Sequence, residues 1–182
     1  ENARLALAEI SSAYYGHPSQ RLELFGITGT NGKTTTSFMV KAILEKSGRD
    51  TGLIGTVRYE IGSRIIPATR TTPEATDIQF MFDQMIRGGS ESAVMEVSSH
   101  ALDQKRVWGI AFDVGIFTNL SHDHLDYHGT MENYFNTKCQ LFRSLGQLGK
   151  TSTAVVNIDD PWGMQITQVN GLSARLITYG EH

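Results

Sequence analysis

Gly26-Ile27-Thr28-Gly29-Thr30-Asn31-Gly32-Lys33-Thr34-Thr35-Thr36 is the stretch on which the reading of this chain turns. An apolar run, Leu22 to Ile27, leads into it, and a helical pattern, Ser37 to Leu44, leads out. Strand, glycine-rich turn and helix start in that order are what a phosphate-binding loop requires. Glycines let backbone N–H groups turn inward, and the helix N-terminus adds its partial positive charge. Lys33 can reach the outer phosphates, and the Thr34 hydroxyl can ligate a magnesium ion. The general phosphate-loop pattern wants a glycine five residues before Gly32, where Ile27 stands; the glycines fall at 26 and 29 instead. The alternative is a glycine-rich turn ahead of a capped helix. Gly-Lys-Thr between strand and helix is the more specific signal, and it points to nucleotide binding.

The rest of the chain sets bounds on that reading. Its 182 residues can bury a sizeable core as one domain, with little room for a second. The net charge of −3 and the lack of a Lys/Arg block argue against nucleic acid or an anionic membrane as the main partner. No apolar run approaches the roughly 18 residues of a membrane span. Glu1-Asn2-Ala3-Arg4 does not resemble a signal peptide. Cys139 is the one cysteine, which excludes an internal disulfide and fits a reducing compartment. The expectation is a cytoplasmic protein, acting as a monomer.

Outward from the loop, helical and strand patterns alternate. Residues 2–15 read as a helix stopped by Gly16 and Pro18. The helix after the loop ends near Lys46-Ser47-Gly48. Thr51 to Ile61 and Arg64 to Ile66 read as strands joined at Gly62-Ser63 in a hairpin. Thr72 is expected to cap the next helix, with Pro73 at its first position and an end at Gly88-Gly89. Ser92 to Val97 and Phe112 to Thr118 are short apolar runs without strict alternation, as in a sheet covered on both faces. Thr130 to Arg143 reads as a helix, Thr153 to Asn157 as a strand, Pro161 to Val169 as a helix and Leu176 to Tyr179 as a last strand. The fold class is α/β, a mostly parallel sheet flanked by helices, with a small hairpin.

In such sheets ligands bind outside the carboxyl ends of the strands. Four predicted strands deliver polar residues there: the loop; Glu96 with Ser98-Ser99-His100; Thr118 to Asp126; and Asn157, Asp159 and Asp160. Glu96 ends an apolar strand, where a carboxylate is costly unless it is paired or bound to metal. It either completes a magnesium site or bonds to backbone amides or a buried arginine. His122, Asp123, His124 and Asp126 form a cluster that suits zinc as well as magnesium. Lys138 lies four residues after Tyr134 and four before Phe142, on the face that Phe135 and Leu141 share. A lysine on a buried stripe either snorkels to solvent or has an altered charge state.

Four segments taken together resemble the Mur ligase family. They are Thr28 to Thr35, Thr71-Thr72-Pro73-Glu74, Met95 to His100, and Asn119-Leu120-Ser121-His122-Asp123-His124-Leu125-Asp126-Tyr127-His128-Gly129. They occur in the family's order over about residues 20–145, and they are closest to the branch that adds the third residue of the peptidoglycan peptide. The resemblance accounts for the shifted glycines of the loop. It implies that Gly29, Thr30, Asn31, Gly32, Lys33, Thr34 and Thr35 bind ATP, with Lys33 on the phosphates. It implies two magnesium ions, held by Thr34, Glu96, His124 and Lys138, the last as a carbamate formed with CO₂. Lys33, Lys138 and His124 become the catalytic residues. Thr71, Thr72, Ser98, Gln104 and Arg106 match positions that contact the UDP-muramoyl dipeptide. Asn157-Ile158-Asp159-Asp160 is family-like without an assigned role.

The implied activity is ATP-dependent amide formation through an acyl phosphate, with UDP-MurNAc-dipeptide and an amino acid as partners. Residues 1–20 would be the exit helix from an N-terminal UDP-binding domain and 21–182 part of a P-loop NTPase-like central domain, without the C-terminal domain. A piece of that extent is expected not to ligate alone. Folylpolyglutamate synthase shares the loop and the His124 region, but Thr71 to Glu74 and Ser98 to Arg106 favour the muramoyl substrate. A nucleotide-binding module without ligase activity is the reading from a different class; the intact Lys33, Glu96, His124 and Lys138 oppose it. The amino acid added, diaminopimelate, lysine or another, is left open.

Overall fold

The computed structural model describes residues 2–181; the outer limits of the two expected segments, at residues 1 and 182, lie outside them. The first helix, α1 (Ala3–Tyr14), starts where the Asn2 side chain accepts the N–H groups of Arg4 and Leu5. It packs against α3 (Ala75–Arg87). The chain then enters β1 (Glu23–Thr28), turns through the glycine-rich loop and runs into α2 (Lys33–Lys46). The remaining strands are β2 (Thr51–Ile54), β3 (Arg58–Ile61), β4 (Arg64–Pro67), β5 (Ser92–Glu96), β6 (Val114–Phe117), β7 (Thr153–Asn157) and β8 (Arg175–Tyr179). The remaining helices are α4 (Ser99–Asp103), α5 (Leu125–His128), α6 (Met131–Ser144) and α7 (Pro161–Ile166).

The eight strands form one sheet in the order β4-β3-β2-β5-β1-β6-β7-β8. Six are parallel; β3 and β4 run antiparallel as the expected hairpin. Both faces are covered, which explains the unbroken apolar runs. Ile27, Leu53, Val94 and Ile116 pack on one face with Phe38 and Leu44 of α2. The larger cluster on the other face joins Phe82 and Met85 of α3 to Tyr134, Leu141 and Phe142 of α6. Phe82 has no exposed surface, so truncating it to alanine is expected to cost about 3–5 kcal/mol of stability.

Three local expectations are corrected. The stretch 51–61 is not one strand: it breaks at Gly55-Thr56-Val57, so that β3 returns antiparallel on β2. Thr72 does not cap α3, which begins at Ala75 behind Glu74; its hydroxyl is used elsewhere, as described below. The helix at Pro161 ends at Ile166 rather than Val169. The short helices α4 and α5 were not foreseen, because four or five residues carry too little periodicity to register.

Candidate nucleotide site

The central strands β1, β5 and β6 end side by side, with Ile27 opposite Glu96 and Thr28 opposite Phe117. This register brings the loop, the strand-end carboxylate and residues 118–124 to one edge of the sheet. In the loop, Gly29 has φ 146° and Gly32, the N-cap of α2, has φ 84°. A Cβ on Gly29 would sit 1.9 Å from Thr118 Oγ1, so only glycine allows this approach. The amides of Gly32, Lys33, Thr34 and Thr35 have no partner among the described residues. Four open N–H groups at a helix start are a seat for an anion such as a phosphate.

Two lysines converge on one carbonyl. Lys33 Nζ donates to Gly29 O (3.0 Å) and Thr30 O (2.9 Å), and Lys138 Nζ donates to Gly29 O (2.9 Å). Lys138 is 1% exposed and does not snorkel. Its face of α6 is buried as its spacing predicted, and its Nζ lies 4.6 Å from the centre of the Tyr134 ring. Burial holds the Lys138 amine well below the usual lysine range; the charge of Lys33 pushes the same way and Asp123 opposes both. Burial also lowers Lys33, against the raising effects of Glu96 and Asp123.

Glu96 is 1% exposed and meets no arginine among the described residues. Its carboxylate accepts from Thr34 Oγ1 (3.0 Å), Thr56 N (2.9 Å) and Thr56 Oγ1 (2.9 Å). Gly55 makes room for it, since a Cβ there would lie 2.5 Å from Glu96 Oε1. A hydroxyl and a carboxylate held together beside free loop amides are hard oxygen donors of the kind magnesium takes. Thr34 and Glu96 therefore fit that metal.

Among the described residues, His124 shares no hydrogen bond or ion pair with this pair. It has φ 52°, and its ring lies near Asp123 (3.5 Å), against His100 (centroids 4.9 Å apart) and 6.1 Å from Tyr134. His122, Asp123, His124 and Asp126 do not close into a ligand set. Among the described residues no group of three or more His, Cys, Asp or Glu side chains is gathered to hold a metal. Consecutive residues around a left-handed turn and a one-turn helix point in different directions, which spacing alone did not reveal. His100 and His128 are both held below the usual histidine value, mainly by burial.

The five residues matched to substrate positions divide into two groups. Thr72 Oγ1 donates to Glu96 O (2.8 Å) and accepts Ser98 N (3.0 Å), while Arg106 donates to Thr72 O (3.0 Å) and to Gln104 Oε1. Thr72, Ser98, Gln104 and Arg106 thus form one connected wall beside Glu96. The Ser98 hydroxyl itself caps α4 through Ala101 N (3.2 Å). Thr71 sits apart and meets Thr56 (3.0 Å). Arg106 Nε is buried without a partner among the described residues. The sequence reading missed Thr56, Tyr134 and Asn119; the Gly55-Thr56 pair after an apolar strand was the available signal for the first. Two concavities of about 480 and 570 Å³ border α6, but the loop lines neither.

A parallel α/β sheet with a lysine-bearing glycine loop at the carboxyl edge of its central strands defines a phosphate-loop domain. The chain belongs to the Mur ligase family: the family model described as Mur ligase middle domain matches residues 27–182. It is 47% identical over 181 residues to the UDP-N-acetylmuramoyl-L-alanyl-D-glutamate–2,6-diaminopimelate ligase of Clostridium perfringens, covering 98% of this chain and 36% of that protein. A solved ligase structure of the same description superposes with TM-score 0.78 at 31% identity, covering 93% of this chain and 35% of that one. Folylpolyglutamate synthase of Mycobacterium tuberculosis, complexed with ADP and AMPPCP, superposes with TM-score 0.71 at 18% identity, over 96% of this chain and 46% of that one. That likeness is one of fold. The chain spans about a third of the length of the curated relative it matches.

Proposed function

We propose that the chain is the central ATP-binding domain of a longer cytoplasmic ligase of peptidoglycan precursor synthesis. Its substrates would be ATP, UDP-MurNAc-L-Ala-D-Glu and an amino acid. The glutamyl carboxylate attacks the γ-phosphate to give an acyl phosphate, and the amine of the amino acid then displaces phosphate. The observation that carries this reading is the convergence of Lys33 and Lys138 on Gly29 O beside the Thr34–Glu96 pair, in a chain of this family.

Each residue has a part in that scheme. The open amides of residues 32–35 and the Lys33 ammonium would hold the phosphates and offset charge as it develops on the transferring group. Thr34 and Glu96 would hold one magnesium ion, and His124 with Lys138 a second; the metals supply Lewis acidity. Burial favours the neutral form of Lys138, and a neutral amine can add CO₂, its nitrogen bonding to carbon as a proton leaves, to give a carbamate. Thr71, Thr72, Ser98, Gln104 and Arg106 would line the path of the muramoyl dipeptide.

The test is product formation by the full-length protein with ATP, UDP-MurNAc-L-Ala-D-Glu and single amino acids. The first to try is 2,6-diaminopimelate, which the names of the relatives specify. Tripeptide product with ADP and phosphate is expected. Turnover with folate and glutamate, but none with the muramoyl dipeptide, would overturn the reading in favour of a folylpolyglutamate synthase.

A further inference from the structure

Beyond the Lys33 bonds to Gly29 O and Thr30 O, the tip of the loop is held from outside. Asn119, in the segment after β6, uses both atoms of its side-chain amide on the backbone of Asn31. Its Oδ1 accepts Asn31 N (3.0 Å) and its Nδ2 donates to Asn31 O (3.2 Å). Its backbone carbonyl accepts Thr30 N (2.9 Å). On one side, Thr118 Oγ1 donates to Asn31 O (2.7 Å); on the other, Ser121 N donates to Thr30 Oγ1 (3.0 Å). Residues 118–121 thus grip residues 30 and 31 much as a neighbouring strand would, with a side chain supplying half of the ladder.

That grip is braced in turn from β7. Asn157 Nδ2 donates to Thr118 O (2.9 Å), and Asp160 Oδ2 accepts Leu120 N (2.9 Å). The other Asp160 oxygen caps α7 through Trp162 N (2.8 Å) and Gly163 N (3.2 Å). A Cβ on Gly163 would lie 1.8 Å from Asn157 O, so the brace is packed directly against α7. The Asn157–Asp160 segment, which had no role in the reading above, supports the phosphate loop through two layers of hydrogen bonds.

We propose that Asn119 is a positioning residue for the phosphate loop, braced by Asn157 and Asp160, and that it sets nucleotide affinity without touching nucleotide. Asn119 fixes Thr30 and Asn31, the residues just before the open amides of 32–35. Without it, those amides no longer converge in advance, and binding has to order the loop. The inference rests on the reading of the loop as a nucleotide site.

The experiment is steady-state kinetics of the full-length protein with MgATP varied, run beside thermal unfolding. Asn119→Ala removes two hydrogen bonds to the loop backbone, and the KM for ATP is expected to rise about 10- to 30-fold. kcat should stay within about threefold, since bound MgATP itself orders the loop before the chemical step, and the KM for the muramoyl substrate within about twofold. Asn119→Asp keeps the volume, so it serves if the alanine variant does not fold. It sets an oxygen against Asn31 O where a donor was, and its rise in KM should be at least as large. Asn157→Ala should give a smaller rise in the same constant. Unchanged KM for ATP in the Asn119 variants, with ATP turnover normal, overturns the inference alone. Parallel loss of kcat, both KM values and Tm also overturns it, since that marks a purely structural role. A wild-type protein that turns over no ATP overturns the nucleotide reading beneath it.

Discussion

Lys41 and Lys138 are both buried, at 7% and 1% exposure, on helices that cover opposite faces of the sheet. Lys41, on α2, meets two carboxylates, Glu45 and Glu60 (3.2 Å), and Glu60 also takes Arg58. Lys138, on α6, forms no ion pair with a carboxylate among the described residues; it has the Gly29 carbonyl, the Tyr134 ring, the nearby charge of Lys33 and, opposing that, Asp123. The first arrangement is what a fold does with a buried charge that it must neutralise. The second leaves the charge unneutralised and shifts the equilibrium towards the free amine. Two lysines of similar burial therefore differ in kind: one ties the hairpin to α2, and the other lies beside the loop with a backbone carbonyl and an aromatic ring for partners.

The comparison can be broken most sharply at Lys138. In the full-length protein Lys138→Ala should lower ligation by at least about 10²-fold, the scale of losing one group that stabilises transition-state charge. If the proposed carbamate carries the activity, excess acetate should restore part of it by supplying a carboxylate in its place. Undiminished product formation without added acid would remove Lys138 from the chemistry. Glu96→Gln should lower turnover by about 10²-fold while Tm changes little. The Thr34 and Thr56 hydroxyls can reverse to accept from the new amide, whereas a metal loses its charged ligand. Normal ATP consumption by this variant would make Glu96 structural. Lys41→Met should do the opposite: turnover within about twofold, and stability lower by about 1–3 kcal/mol, because Glu60 loses one of its two cations. Denaturant unfolding beside the ligation assay reads both.

The sequence made the chemistry of these regions legible unevenly. The loop, the strand-end position of Glu96 and the buried face of Lys138 follow from local spacing, and the structure keeps all three. The hydroxyl of Thr72 looked like a helix cap because Pro73 follows it, but it spans Glu96 O and Ser98 N. Thr56 was invisible because its contact with Glu96 depends on β2 lying next to β5, a pairing across about 40 residues. Asn119 sat in a recognised segment, yet its work on Asn31 exists only once β6 lies beside β1. What failed to read through was set by strand order, which periodicity does not encode.

The claim that Lys138 is held unneutralised is tested most directly by stability against pH. In the folded chain its amine titrates well below the unfolded value of about 10.4, so between those limits the unfolded state carries a proton that the folded state lacks. Wild-type stability therefore rises with pH across that window through this group. Lys138→Met fills the same space without the penalty, and Gly29 O keeps its bond from Lys33. Thermal unfolding of both proteins should be followed from pH 6 to 9 in CO₂-free buffer without nucleotide. The methionine variant is expected to be the more stable at the acid end, with the gap narrowing as pH rises. A variant less stable than wild type throughout, with a constant gap, would contradict the account.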